Sequence, residues 1–320
     1  MQPQACPQSG IGGRRLGKPD PLLTDMGYDK GDKVMAHILI AGCGYVGTAL
    51  GLRLSAVGHV VWGLRRSAEG PPSGIRYVAA DLTTPATLQN LPPALDAVFY
   101  TAAPNGADDA AYRAIYVDGL CYLLEALGRQ RQSPRRIVFT SSTAVYAQSA
   151  GEWVDETSPT EPMHFSGRRV LEGERLVLGG PFPATVIRFG GIYGPGRTSL
   201  LARVRQGLAT CRDGPPLYTN RIHRDDCASA LQHLLTLSEP EAIYLGVDHE
   251  PAEHCAVLRW LADQLGALPP RVEASTGADT RRHRTNKRCR NAKLLASGYI
   301  FHYPTFREGY SALLAQGNMQ

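Results

Sequence analysis

The sequence predicts an α/β fold, a doubly wound parallel sheet with a smaller C-terminal region attached. Three observations carry that expectation. Strand-length apolar runs alternate with helix-periodic segments from residue 37 to about residue 190. The first run, Ile38 to Ile40, leads directly into Gly42-Cys43-Gly44-Tyr45-Val46-Gly47, a G-x-G-x-x-G turn. A helix-forming stretch from Tyr45 to Ala56 follows, with Gly58 at its end. The 320 residues are 43% hydrophobic and 20% charged, the balance of a globular chain able to bury a large core.

The elements follow in order. Residues 1–34 are rich in glycine, proline and polar residues and show no hydrophobic period. They read as a disordered extension, or as a stretch ahead of a start at Met35, and lack the apolar run of a secretory signal. Strand two is His59 to Gly63, strand three Ile75 to Ala79 and strand four Ala97 to Thr101. Asp109 to Leu127 repeats apolar residues at helical spacing. Strand five is Arg136 to Thr140, the next helix Arg168 to Leu178, and strand six Ala184 to Phe189. Beyond residue 195 the rhythm loosens. Thr198–Leu208, Arg224–Leu237 and Cys255–Leu265 read as helices, Ile243 to Val247 as a strand, and a last helix runs near Phe306–Ala315. The expected division is 1–34 extension, 35–197 dinucleotide domain and 198–320 substrate region.

Bulk properties narrow the function. No stretch reaches the ~20 apolar residues of a membrane span. A formal net charge of +5 permits anionic small molecules and does not call for nucleic acid. No zinc-finger spacing or other metal constellation is present, so no metal is expected. Seven scattered cysteines, odd in number and without C-x-x-C, give no disulfide framework; reduced thiols in a cytoplasmic protein are the expectation.

The glycine turn carries the first chemistry. One glycine permits the tight turn, one lets a diphosphate approach the backbone, and one lets helix pack on strand. The N–H groups and dipole at the helix start then hold the anion. The strand ends of such a sheet line one cleft. They supply the expected cofactor residues Gly42, Cys43, Gly44, Tyr45, Val46, Gly47, Arg65, Arg66, Asp81, Leu82, Thr101, Ala102 and Ala103. Cys43 is read there as a small filler. An NAD site usually offers an acidic residue after strand two; Arg65 and Arg66 instead suit a 2′-phosphate, so NADP is expected over NAD.

Taken together these motifs resemble a known family. The glycine turn, Asp81-Leu82, Thr140 to Tyr146, Arg188 to Arg197 and Ile222 to Asp226 stand in the order seen in extended short-chain dehydrogenases/reductases, the NAD(P)-dependent epimerase/dehydratase family. Asn220 to Asp226 and Asn286 to Cys289 look more particularly like its YeeZ-like atypical subgroup. The resemblance spans about residues 36–315. It implies a Rossmann-type fold, an NAD(P) cofactor, a nucleotide-sugar-like small-molecule substrate and a homodimer joined by paired helices.

The family moves its proton with a Ser/Thr and a Tyr-x-x-x-Lys pair. Ser142 matches the Ser/Thr. Aligning Gly167 and Glu174 with the family's pattern puts Ser166 at the tyrosine position and Val170 at the lysine position. A serine there needs its own base, and valine supplies neither charge nor donor. Ser142, Ser166 and His223 are the catalytic candidates, with Tyr146, His164, Arg168 and Tyr193 as further substitutes. Arg188, Tyr193, Arg197, Arg224, Lys287 and Arg288 are the substrate candidates. Arg281, Arg282 and Arg284 read as a solvated basic loop. The missing pair also leaves open a non-catalytic dinucleotide sensor or partner-binding protein.

Overall fold

A computed structural model describes residues 35–67, 70, 72–273 and 286–317. The expected extension at 1–34 and the arginines 281, 282 and 284 lie outside these residues. The first half alternates as expected: β1 (His37–Ala41), α1 (Tyr45–Ala56), β2 (Val60–Arg65), β3 (Ile75–Ala79), β4 (Ala97–Tyr100), α2 (Asp109–Arg113), α3 (Leu120–Arg129), β5 (Arg136–Ser142), β6 (Glu152–Val154), α4 (Phe165–Leu178) and β7 (Ala184–Phe189). The second half runs β8 (Gly191–Tyr193), α5 (Ser199–Arg205), β9 (Thr210–Arg212), β10 (Tyr218–Thr219), β11 (Arg221–His223), α6 (Arg224–Thr236), β12 (Ile243–Gly246), β13 (Ala252–Glu253), α7 (His254–Leu265), β14 (Arg271–Glu273), β15 (Lys287–Cys289), α8 (Ala292–Ala296) and α9 (Phe306–Gly317).

Among the described residues seven strands form one parallel sheet in the order β12-β7-β5-β4-β1-β2-β3. From β1 the sheet is wound first one way and then the other, so a crevice opens between β1 and β4 at the carboxyl ends of the strands. The residues of β1 show why the sheet is double-faced. Ile38 and Ile40 pack with Leu50 and Leu54 of α1 and Leu231 of α6. The alternate residues, Leu39 and Ala41, pack on the opposite side with Leu120, Leu123 and Leu127 of α3. Both faces are covered, so the strand is apolar throughout rather than alternating.

Three expectations change. Ile243 to Gly246, assigned to the substrate region, is the edge strand of the large sheet, with Tyr244 opposite Ile187 of β7. Helix α6 packs against the same side of the sheet as α1. The boundary at residue 197 therefore fails: the chain leaves the sheet, returns for α6 and β12, and leaves again. The reason is that a strand's membership in a sheet is set by its partner, which local sequence does not encode.

The expected helix 109–127 is interrupted by a π-turn at Ala114–Gly119. Tyr100 Oη donates to the Ile115 carbonyl at 2.5 Å, so that oxygen has a partner from the sheet. Gly119 lies so close that an added Cβ would sit 3.2 Å from the same hydroxyl. Strand five runs on to Ser142, which brings that serine to the tip of the sheet.

The smaller lobe has its own core, with Leu201, Val204, Val257, Leu258, Leu261, Phe306 and Leu313. It is tied back to the sheet by β6, which pairs with β15 from the far end of the chain. Cys43, Cys211, Cys227, Cys255 and Cys289 are buried free thiols. No helix among the described residues is long and apolar enough to cross a membrane.

Candidate cofactor and active site

The three glycines of the turn have separable roles. Gly42 adopts φ +88°, and a Cβ there would lie 2.6 Å from the Ala102 methyl, within the backbone of the β4 end. Gly47 presses α1 onto the sheet; its Cβ would sit 2.7 Å from Thr101 Oγ1 and 2.9 Å from the Ile40 side chain. Gly44 differs. A Cβ there would meet nothing closer than the Gly42 carbonyl at 3.9 Å. The protein's own packing does not demand a glycine at this point; open space for a ligand does. Among the described residues no side chain caps α1, and its first turn holds no acidic residue. By contrast Asp108, His164 and His223 cap α2, α4 and α6. The cradle therefore fits a diphosphate.

The neighbouring expected residues converge on this notch. Gly42 N–H and Cys43 N–H donate to the Leu64 carbonyl at 3.1 and 3.0 Å, and Thr101 Oγ1 donates to the Gly42 carbonyl at 2.9 Å. Ala102 is buried under Gly42, and Ala103 is exposed beside it. Cys43 points away from the notch, toward Gly63 of β2; burial pushes its thiol up, as befits a filler. Val46 is partly buried against the core. Arg65 and Arg66 are exposed at the end of β2. The Arg65 guanidinium lies 5.1 Å over the Tyr77 ring. The Arg65 carbonyl accepts from Ala80 N–H at 3.0 Å, which brings Asp81 alongside. Asp81 Oδ1 accepts from Thr83 N–H and Oγ1 at 2.9 and 2.8 Å, and the Leu82 side chain is in the core. The Leu82 side chain is thus unavailable to a ligand; only its backbone stands at the cleft.

Tyr45 turns toward the second lobe. Its hydroxyl donates to the Pro195 carbonyl at 2.8 Å. Arg197 and Arg224 stand over its ring at 4.2 and 5.3 Å. Two expected substrate residues therefore meet at the mouth of the glycine turn. Arg224 also pairs with Asp225 at 2.8 Å.

At the end of β5, the strand beside β4, Ser142 is half-buried and its Oγ accepts from Ala144 N–H at 3.1 Å. Helix α4 starts hard against this turn: a Cβ on Gly167 would overlap the Ala144 carbonyl and lie 2.6 Å from Pro162 Cβ. This contact brings Ser166 beside the Ser142 turn. Ser166 Oγ lies 2.9 Å from His164 Nδ1, which also takes the Ser166 N–H at 3.4 Å. At the lysine position, Val170 is 2% exposed and packs with Tyr146, Val154, Leu245 and Cys289. Apolar core fills the place where the family's cation stands.

Several candidates are corrected. Arg188, expected to clamp substrate, is 3% exposed. Its Nε and Nη2 donate to Glu174 at 2.9 and 2.7 Å, and its Nη1 to Tyr146 Oη at 2.7 Å. Burial works against its charge, but the bonds and charge of Glu174 more than offset it, holding the guanidinium above its ordinary value. Ser141 Oγ donates to the same carboxylate, and Tyr146 Oη donates to the Asp155 carbonyl at 2.7 Å. These residues brace the Ser142 turn from behind. Tyr146 is fully buried, and burial raises its phenol, so it is no proton donor to the cleft.

His223 is likewise internal. It is 2% exposed, and Nδ1 accepts from Asp225 N–H at 3.2 Å to cap α6. Burial lowers its pKa, which keeps the ring a neutral acceptor. Tyr193 stacks on Tyr310 at 4.5 Å, and its hydroxyl abuts Gly309 of α9. Tyr193 is shut off by the C-terminal helix and His223 by the Tyr303 ring just ahead of it, at 4.0 Å, which no local pattern foretells. Arg288 is held between Trp153 and Tyr218 at 4.9 and 4.8 Å and donates to the Gly151 carbonyl at 2.8 Å. Lys287 is buried, and burial pulls its ammonium down to about 8. Arg288 is engaged by these contacts and Lys287 is buried, so neither is a solvated clamp. What sequence reasoning undervalued is Glu174, used above only to fix a register, and the contact of His164 with Ser166.

Comparison with known proteins agrees with this geometry. The NAD dependent epimerase/dehydratase family matches residues 38–246, from β1 to the end of β12. The chain belongs to that family. Its cofactor is accordingly a nicotinamide dinucleotide, NAD or NADP. The 3-diazoavenalumate denitrifying reductase of a Streptomyces species is 30% identical, over 74% of this chain and 84% of its own length. Protein YeeZ of Escherichia coli is 29% identical over 75% of this chain and 88% of its own. Among solved structures, an NAD-dependent epimerase/dehydratase of Methylobacillus flagellatus is 38% identical, with a TM-score of 0.71, covering 89% of this chain and 99% of that one. Human epimerase family protein SDR39U1, solved with NADPH, shares the fold with a TM-score of 0.70 at 22% identity, covering 85% and 96%.

Proposed function

We propose that this family member is an NADP(H)-dependent oxidoreductase or epimerase-like enzyme acting on a nucleotide-sugar-like substrate. The open space over Gly44 at an uncapped helix start carries the reading. Arg65 and Arg66, with no acidic residue at the end of β2, favour a 2′-phosphate over a free ribose hydroxyl. The bound nicotinamide supplies or takes a hydride at the substrate carbon. The chain's part is to hold that substrate beside the Ser142 turn and the start of α4, and to move its hydroxyl proton. Arg197 and Arg224, stacked at the mouth of the turn, supply positive charge for an anionic substrate.

Fluorescence titration with NADPH and NADH tests the cofactor. Saturable binding with NADPH tighter supports the proposal, and no binding of either removes it. Mass spectrometry of co-purifying small molecules tests the substrate class. The second reading, a dinucleotide-binding sensor without turnover, is favoured by one observation: Val170 fills the cation's place with buried apolar volume. Cofactor turnover with a nucleotide sugar, lost in Ser142→Ala, excludes it.

A further inference from the structure

We infer that Ser166 and His164 together replace the family's tyrosine and lysine as the group that moves the substrate's hydroxyl proton. The inference rests on the oxidoreductase reading above. Ser166 stands at the register position of the tyrosine, in the first turn of α4. A serine alone is a poor base there, because nothing lowers the cost of removing its proton. Here something does. His164 Nδ1 is 2.9 Å from Ser166 Oγ. That nitrogen also accepts the Ser166 N–H, so it carries a lone pair and the ring proton is on Nε2. The serine hydroxyl is therefore the donor in the bond between the two side chains.

Placement favours reaction over packing alone. Ser166 is half-buried and His164 exposed, so the ring can exchange its proton with solvent. The close approach of Gly167 to the Ala144 carbonyl, which leaves no room for a Cβ, sets α4 against the turn that carries Ser142. The Phe165 ring, 4.2 Å from the imidazole, limits its motion. The charge on the same turn is Arg168, whose Nη1 donates to the Met163 carbonyl at 2.9 Å. Arg169, the other arginine of that turn, is paired with Asp109 at 2.8 Å.

In the oxidising direction the substrate O–H proton passes to Ser166 Oγ as the Ser166 proton passes to His164 Nδ1. The C–H bond on the same carbon breaks, its electron pair leaves with the hydrogen to the oxidised nicotinamide, and a carbonyl forms. His164 ends as an imidazolium and returns its proton to water from Nε2. Reduction is the reverse. Ser166 is the catalytic residue, and His164 acts through it.

His164 itself supplies the test. Protein labelled at histidine Cε1 is titrated by NMR alone, with NADP⁺ and with NADPH, the His164 signal being assigned by its loss in His164→Gln. One contact between reacting carbons and two hydrogen bonds place the imidazole within about 9 Å of the nicotinamide ring. The extra positive charge of NADP⁺ then moves the His164 Cε1–H signal away from its position in the NADPH complex. Equal positions in the two complexes overturn the relay while leaving cofactor binding intact. Binding of neither cofactor overturns the oxidoreductase reading and the relay with it. With UDP-glucose as the first turnover probe, Ser166→Ala and His164→Gln each lose about 100-fold in kcat/KM. Ser166→Thr retains activity. Undiminished turnover in Ser166→Ala overturns the proposal, and where the probe is not turned over the NMR result decides.

Discussion

Replacing Gly44 by alanine separates the fold from the ligand. The new methyl meets no protein atom closer than 3.9 Å, so packing is unaffected. The methyl does occupy the approach of a diphosphate to the helix start. Loss of one charge-assisted hydrogen bond costs about 1.5–3 kcal/mol, which weakens NADPH binding by roughly 10- to 150-fold. Gly42→Ala is the contrast. It combines φ +88° with a Cβ 2.6 Å from the Ala102 methyl. Strain of about 1–2 kcal/mol and overpacking of about 1–3 kcal/mol act on stability itself. Urea denaturation and NADPH fluorescence titration of both variants read the two effects apart. If folded Gly44→Ala binds NADPH within about twofold of the parent, the diphosphate does not lie over Gly44 and the cofactor argument fails.

Three further outcomes are expected. Arg65→Ala combined with Arg66→Ala weakens NADPH by about 10- to 100-fold and NADH by less than about threefold, since only the 2′-phosphate loses its partners; equal losses in titration rule out a 2′-phosphate site. Glu174→Ala strands the Arg188 charge, both side chains being almost wholly buried, and costs about 3–5 kcal/mol by denaturation. The pair Glu174→Leu with Arg188→Met recovers most of that loss, and a single-variant cost under about 1 kcal/mol contradicts the bracing role. Asp248 is buried with one carboxylate oxygen lacking a partner among the described residues, and burial pushes its pKa up to about 8 against the attraction of Arg221. A carboxyl whose folded pKa exceeds its unfolded value near 3.9 binds more protons when folded. Its contribution is therefore lost as pH rises from about 4 to 8. Asp248→Asn removes this dependence and makes the protein more stable than the parent at pH 8, on the order of a few kcal/mol; a less stable variant at pH 8 refutes it.

The residues show where sequence reading ends. The glycine turn was legible because its requirements are local: spacing, absent side chains and an adjoining strand and helix. Ser142 and the gap at Val170 were legible from register. Arg188 was misread because an arginine beside a cleft and one folded under it look alike until Glu174, fourteen residues earlier, is seen to face it. Tyr193 and His223 were misread because Tyr310 of α9 and Tyr303 just ahead of that helix, from the far end of the chain, stack on them.

The sequence by itself determined the alternation of strands and helices, the diphosphate cradle and the loss of the tyrosine–lysine pair, because each depends on neighbours along the chain. Only the tertiary structure decided that Ile243–Gly246 closes the large sheet, that Arg188 braces rather than binds, and that α4 sets Ser166 and His164 against the Ser142 turn. Strand partners, burial and the meeting of distant side chains depend on long-range packing, which adjacent residues do not specify.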